Sequence, residues 1–193
     1  MLKIYKESSS KKADVEIIGR TEGGCRTFHP VSVDDRAKKV SGIVACKIYP
    51  PFSPFRSNLG APKKVRLIVG DGNCFFRSIS YILTGSEKYH RSVRDKVIEK
   101  ITDSTCNDGL KNYLNQDPIQ YVNQNQLMDD GTWATEAEIL ATANLFGTDI
   151  EVFVGHEWAR YPASLKIGQH SSCAFYITQN EARNHFNVVL DIS

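Results

Sequence analysis

Apolar and polar positions change their period several times along this chain, and each change marks an element. Val65 to Val69 is a short apolar, β-branched run that reads as a strand. Gly70-Asp71-Gly72-Asn73 follows as a turn cluster. Cys74 to Leu83 then reads as a buried helix, with Gly85 as its left-handed C-cap. Ser86 can cap a second helix, in which Tyr89, Val93, Val97 and Ile101 fall four apart along one face. Asp117-Pro118 offers an N-cap followed by proline at the first helical position, ahead of Ile119, Val122 and Leu127. Thr135-Glu136-Ala137-Glu138 forms a capping box before Ile139 to Phe146, and Gly147 closes that helix. Asp149 to Val154 alternates as a strand does. Ala174 to Thr178 and Phe186 to Leu190 read as two more. Helices first and strands afterwards predict an α+β fold, with helices packed around a small, mostly antiparallel sheet.

The first 60 residues read differently. Ser8 to Lys12 is polar, and Val15 to Ile18 could form a short strand, which Gly19, Gly23 and Gly24 keep from extending. Order signals are weak from Asp34 to Cys46. Pro50-Pro51-Phe52-Ser53-Pro54 and Pro62 form an extended connector. The expectation is a poorly ordered arm over residues 1–60 and a compact domain over residues 61–193. Charge divides the same way: residues 1–64 carry 13 Lys and Arg against 6 Asp and Glu, whereas residues 65–193 carry 11 against 16. The basic residues of the arm are scattered in runs of two at most. That pattern favours a solvated linker over a nucleic-acid binder, and nucleic acid is not an expected partner. The acidic body suits a basic partner surface.

Five cysteines, Cys25, Cys46, Cys74, Cys106 and Cys173, form no C-x-x-C pair, and their number is odd. This argues against a disulfide framework and a structural zinc site, and it fits a reducing compartment. The opening residues Met1 to Lys6 lack the apolar centre of a secretory signal, and no apolar stretch approaches a membrane span. An intracellular, cytoplasmic monomer is the expectation.

Chemistry concentrates at residues 71–74. A thiol at the start of a helix lies beside N–H groups that have no partner within the helix and carry partial positive charge. Such a position stabilises a thiolate. The free N–H groups around Gly72, Asn73 and Cys74 can also receive the oxyanion of a tetrahedral intermediate. Read alone, Cys74 could equally be a small apolar residue in a helix's first turn. A nucleophile needs a base. Of His29, His90, His156, His170 and His185, only His185 opens a strand, and Asn187 shares its face of that strand. Asn187 could fix the imidazole tautomer and leave the other ring nitrogen for the thiol. Alone, the His-x-Asn pair also reads as a polar strand edge.

Together these segments resemble the OTU (ovarian tumour) family of cysteine proteases. The resemblance is carried by Asp71-Gly72-Asn73-Cys74-Phe75-Phe76-Arg77-Ser78, by Gly131-Thr132-Trp133-Ala134-Thr135-Glu136-Ala137-Glu138-Ile139, by Ile150-Glu151-Val152-Phe153 and by His185-Phe186-Asn187. It implies a papain-like OTU fold, with Cys74 as nucleophile, His185 as general base and Asn187 as its orienter. By the same resemblance Asp71 is counted with the active site, where it would shape the oxyanion loop of Gly72 and Asn73. Trp133 could flank the substrate tail or lie in the core. Ala134 stands where many relatives have glycine. The resemblance implies a deubiquitinase that cuts isopeptide bonds at the ubiquitin C-terminus, with ubiquitin or polyubiquitin as partner and no metal or organic cofactor. Two other readings stay open: a ubiquitin-binding protein of the same fold without activity, and a thiol hydrolase acting on another ubiquitin-like modifier.

Overall fold

Local chemistry sets the ends of the central helices in the structure, a computed structural model that describes residues 27–41, 55–103, 108–163, 173–180, 182 and 184–193. The expected strand at Val15 to Ile18, the polar segment at Ser8 to Lys12 and the prolines at 50–54 lie outside the described residues. Helix α1 spans Val33–Ser41, α2 Cys74–Thr84, α3 His90–Thr102, α4 Asp108–Leu114, α5 Pro118–Gln124 and α6 Glu136–Leu145. Gly85 ends α2 at φ 76° and donates its N–H to the Tyr81 carbonyl, as a left-handed C-cap should. Asp117 caps α5 through the N–H groups of Ile119 and Gln120. The capping box of α6 is complete, with Glu138 accepting from the Thr135 N–H at 2.6 Å.

Six strands form one mixed sheet: β1 Phe55–Ser57, β2 Pro62–Arg66, β3 Asp149–Val154, β4 Glu157–Tyr161, β5 Ala174–Asn180 and β6 His185–Ile192. Their order is β1-β4-β3-β5-β6-β2. The β3–β5 pair is parallel and the other pairings are antiparallel, so the fold is α+β as expected. Helices α2 and α6 pack on the sheet, and α3 packs against both of them. Phe75, Phe76, Ile79, Val97, Ile101, Ile139, Phe175 and Phe186 are buried there. Phe75 meets Phe76 and Phe186 edge to face, at centroid distances of 5.3 and 5.4 Å, the arrangement that aromatic quadrupoles favour. Contact between Phe75 and Phe186 pins the start of α2 to the start of β6. These two elements carry Cys74 and His185.

The structure corrects several expectations. The strand expected at Val65 to Val69 lies earlier, at Pro62–Arg66. Past Arg66 the ladder stops, because the Ile68 N–H donates to the Asn187 side chain at 3.0 Å. β4 had no sequence expectation. It forms a hairpin with β3 around Gly155 and His156, both at positive φ, a two-residue turn that a histidine conceals. The expected arm over residues 1–60 is not separate from the domain along its whole length. Val31 is buried, the Ala174 N–H donates to the His29 carbonyl at 3.0 Å, and β1 pairs with β4. Phe28 stacks near Tyr176 and, with Leu59, covers a second apolar cluster of Trp158, Ala174, Tyr176 and Val189. Residues 27–41 and 55–60 therefore belong to the folded unit. Among the described residues, no helix is long and apolar enough to cross a membrane.

Candidate active site

The loop before α2 is held by its own side chains. Asp71 accepts the Asn73 N–H at 3.0 Å, folding the loop back as a short Asx-type turn. The same carboxylate accepts two hydrogen bonds from Arg77 Nε, each at 3.1 Å, and one from Nη2 at 2.5 Å. Arg77 lies one turn into α2, so this fork ties the loop to the helix it feeds. The guanidinium holds the Asp71 carboxyl well below its ordinary range. Gly72 stands at φ 84°, and a Cβ there would collide with the Gly131 carbonyl oxygen. Only glycine admits that backbone approach. Asn73 is buried, and its Oδ1 accepts from Gly131 N–H at 3.1 Å and from Arg94 Nη2 at 2.8 Å.

Cys74 opens α2 and is 4% exposed. Its sulfur lies against the beginning of β6. The thiol donates to the Asn184 carbonyl at 3.8 Å, and the Phe186 N–H donates to Sγ at 3.5 Å. These are the two chain neighbours of His185. Asn184, at φ 42°, takes the left-handed conformation that asparagine tolerates. Burial pushes the Cys74 thiol up from its ordinary value. The N–H groups of Phe186, Phe75 and Cys74 pull it down by less, and the Asp71 charge adds to the rise. The expected thiolate stabilisation at the helix start is thus outweighed by desolvation.

The imidazole geometry fixes its own tautomer. Asn187 Oδ1 accepts the Ile68 N–H at 3.0 Å and stands 3.2 Å from His185 Nε2. A backbone N–H can only donate, so the atom it meets is the amide oxygen. In the neutral ring the neighbouring Nε2 then carries the proton and Nδ1 keeps its lone pair. The Nδ1–Cε1 edge lies beside Gly70, where an added Cβ would be 3.4 Å from both atoms. In this conformation the thiol bonds to backbone and not to the imidazole, a looseness common before substrate binds.

Sequence reasoning placed Asp71, Gly72, Asn73, Cys74, His185 and Asn187, and the structure brings them together around the α2–β6 junction. Trp133 is 55% exposed, so the core reading of that residue is overturned. Its loop continues from Gly131, which meets Gly72. Arg94 was missed. A charged residue between Val93 and Val97 reads as solvated, and no local signal marks its burial. Among the described residues, no cluster of three or more His, Cys, Asp or Glu could hold a metal ion.

Comparison with known proteins identifies the family and the fold. Residues 69–186 match the family described as OTU-like cysteine protease. Among curated proteins, the chain is 33% identical over 94 residues to the OVARIAN TUMOR DOMAIN-containing deubiquitinating enzyme 7 of Arabidopsis thaliana, covering 48% of this chain and 24% of the relative. It is 27% identical over 88 residues to the OTU domain-containing protein 1 of Homo sapiens, covering 46% and 18%. The chain thus spans about a quarter or less of the length of these relatives. Among solved structures, the OTUD1 OTU domain has a TM-score of 0.55 at 20% identity, covering 66% of this chain and 85% of that one. The Hazara virus OTU bound to ubiquitin has a TM-score of 0.53 at 16% identity, covering 77% and 95%.

Proposed function

We infer that this chain, which belongs to the OTU-like cysteine protease family, hydrolyses isopeptide bonds at the C-terminus of ubiquitin through Cys74, His185 and Asn187. The observation that carries the reading is the shared acceptor at Asn187 Oδ1, which leaves His185 Nδ1 as a base on the strand that the Cys74 sulfur touches. The names of the relatives and the ubiquitin complex of the Hazara virus protein support the choice of substrate.

Burial keeps Cys74 protonated until a base acts. His185 Nδ1 takes the thiol proton, and the sulfur attacks the terminal carbonyl of the ubiquitin tail. The N–H groups of Gly72 and Cys74 receive the oxyanion, that of Asn73 being taken by Asp71. The imidazolium gives its proton to the lysine amine as the carbon–nitrogen bond breaks. Water then loses a proton to His185 and attacks the thioester, releasing a carboxylate tail and the free thiol. Asn187 holds the imidazole throughout and accepts from the charged ring. Asp71 shapes the loop through Asn73 and Arg77. Exposed Trp133 flanks the path of the tail, whose terminal glycines fit where a side chain would not. The acidic charge of residues 65–193 suits the arginine-bearing tail of ubiquitin and favours encounter more than affinity.

Cleavage of a ubiquitin–fluorophore conjugate tests the reading. Wild type should cleave it, and Cys74→Ala and His185→Ala should not. His90→Ala should retain the rate. Turnover that survives Cys74→Ala would exclude the mechanism. Parallel conjugates of other ubiquitin-like modifiers, and a set of di-ubiquitins, would define the substrate.

A further inference from the structure

The Arg94 side chain of α3 points into the protein. Arg94 is fully buried, and its acceptors are neutral: Leu127 carbonyl at 2.9 Å from Nη1, with Thr132 carbonyl at 2.7 Å and Asn73 Oδ1 at 2.8 Å from Nη2. The guanidinium carbon stands 4.1 Å from the centre of the Phe76 ring. A cation buried without a carboxylate among its acceptors is expensive, and an apolar side chain would fill the space at lower cost. Filling alone therefore does not account for arginine at this position.

What the arginine reaches is the nucleophile loop. Asn73 Oδ1 receives Arg94 and the Gly131 N–H, two groups that only donate, so the amide orientation is fixed. Asn73 Nδ2 is consequently buried with no acceptor among the described residues. Native proteins rarely leave such a group unpaired. The loop is thus held in an orientation its own side chain does not favour. Arg94 and the Gly131 turn impose it. The planar fork spans the nucleophile loop at residue 73 and the opposing loop at 127 and 132, which a lysine or a single hydrogen bond could not do.

We propose that Arg94 is a positioning residue for hydrolysis: it clamps Asn73 to the 127–132 loop, so that the flanking N–H groups of Gly72 and Cys74 are set to receive the oxyanion before substrate binds, while the Asn73 N–H stays with Asp71. The inference rests on the assignment of Cys74 as nucleophile. It separates oxyanion geometry from thiol reactivity, and the two can be measured apart. Alkylation of Cys74 by iodoacetamide needs the sulfur but no oxyanion pocket.

The experiment compares wild type, Arg94→Met, Arg94→Lys, Asn73→Ala and the Arg94→Met/Asn73→Ala double variant. It measures kcat and KM on the ubiquitin–fluorophore conjugate and the rate of iodoacetamide alkylation. Loss of oxyanion donors lowers kcat by about 10²- to 10³-fold, so Arg94→Met should lose roughly 10²-fold in kcat. KM and alkylation should change by less than about threefold. Arg94→Lys should fall between Met and wild type. The double variant should be no slower than the slower single one, since both changes break one clamp. Ile101→Ala, buried in the same helix, controls for stability and should retain kcat. A folded Arg94→Met or Arg94→Lys with wild-type kcat would overturn the inference. So would equal losses in kcat and alkylation, or multiplicative losses in the double variant. Should Arg94→Met fail to fold, Arg94→Lys decides by the same criteria. A wild type that leaves the ubiquitin conjugate intact defeats the proposed function itself. A wild type that cleaves, with Arg94 variants equally fast, defeats only the role of Arg94.

Discussion

Replacing Asn187 with alanine removes one oxygen from two donors, and the two losses appear in different measurements. The first donor is the Ile68 N–H, on a buried residue. An N–H left unpaired there costs about 1–3 kcal/mol of stability, read as a lower midpoint in urea unfolding at unchanged slope. The second donor is His185 Nε2 at 3.2 Å. This bond strengthens when the ring becomes charged during turnover, and hydrogen bonds to charged groups are worth about 1.5–3 kcal/mol. At 1.36 kcal/mol per tenfold, the expected fall in kcat is roughly 10- to 150-fold, measured at saturating ubiquitin–fluorophore. Asn187→Asp keeps an acceptor for both donors and should regain most of the stability and most of the rate. Wild-type kcat in Asn187→Ala would refute the assignment of the tautomer. Equal damage in Asn187→Asp would show that the acceptor itself is not what matters.

The loop and the thiol carry three further expected outcomes. In His185→Ala, the pH profile of Cys74 alkylation should inflect above the ordinary thiol value of 9.0, because burial dominates; an inflection at or below that value would contradict the reading. Gly72→Ala should cost ~1–2 kcal/mol for the left-handed backbone alone, and more for the collision with the Gly131 carbonyl. Thermal melting checks this, and a variant as stable as wild type would refute the close approach. Asp71→Asn should lose the Arg77 ion pair. The folded-state pKa of Asp71 is depressed, so the stability advantage of wild type is full above the ordinary carboxyl value of 3.8. It fades as pH falls below that value towards the folded-state pKa. Urea titrations of both proteins from pH 7 to pH 2 would show it, and a difference independent of pH would exclude it.

The parts of the site that sequence reveals are those fixed by short-range chemistry. A glycine-containing turn feeding a helix, and a His-x-Asn pair sharing a strand face, need only neighbouring residues to be recognised. What escaped detection depends on distant partners. Arg94 is buried because carbonyls and an amide from residues 73, 127 and 132 converge on it, and nothing beside it in the chain announces them. The strand at Val65 to Val69 was displaced because a side chain of β6, not its backbone, takes the Ile68 N–H. Helix-start electrostatics suggested a stabilised thiolate at Cys74, and burial outweighed it. A tryptophan ahead of a helix reads equally as core or as a substrate flank, and only the path of its loop, which leaves it half open to solvent, excludes the core. The N-terminal segment carried weak signals because Val31 and Phe28 gain their order from β5 and the far face of the sheet.

The Gly72–Gly131 meeting has an evolutionary corollary. Where two side chains touch, growth in one can be offset by shrinkage in the other, and a lineage can drift through such pairs. Here peptide meets peptide, and neither residue has anything left to give up. A larger residue at position 72 cannot be rescued by any exchange at position 131. Only a change in loop length or path could accommodate it, and that would move the chain segment bearing the sulfur.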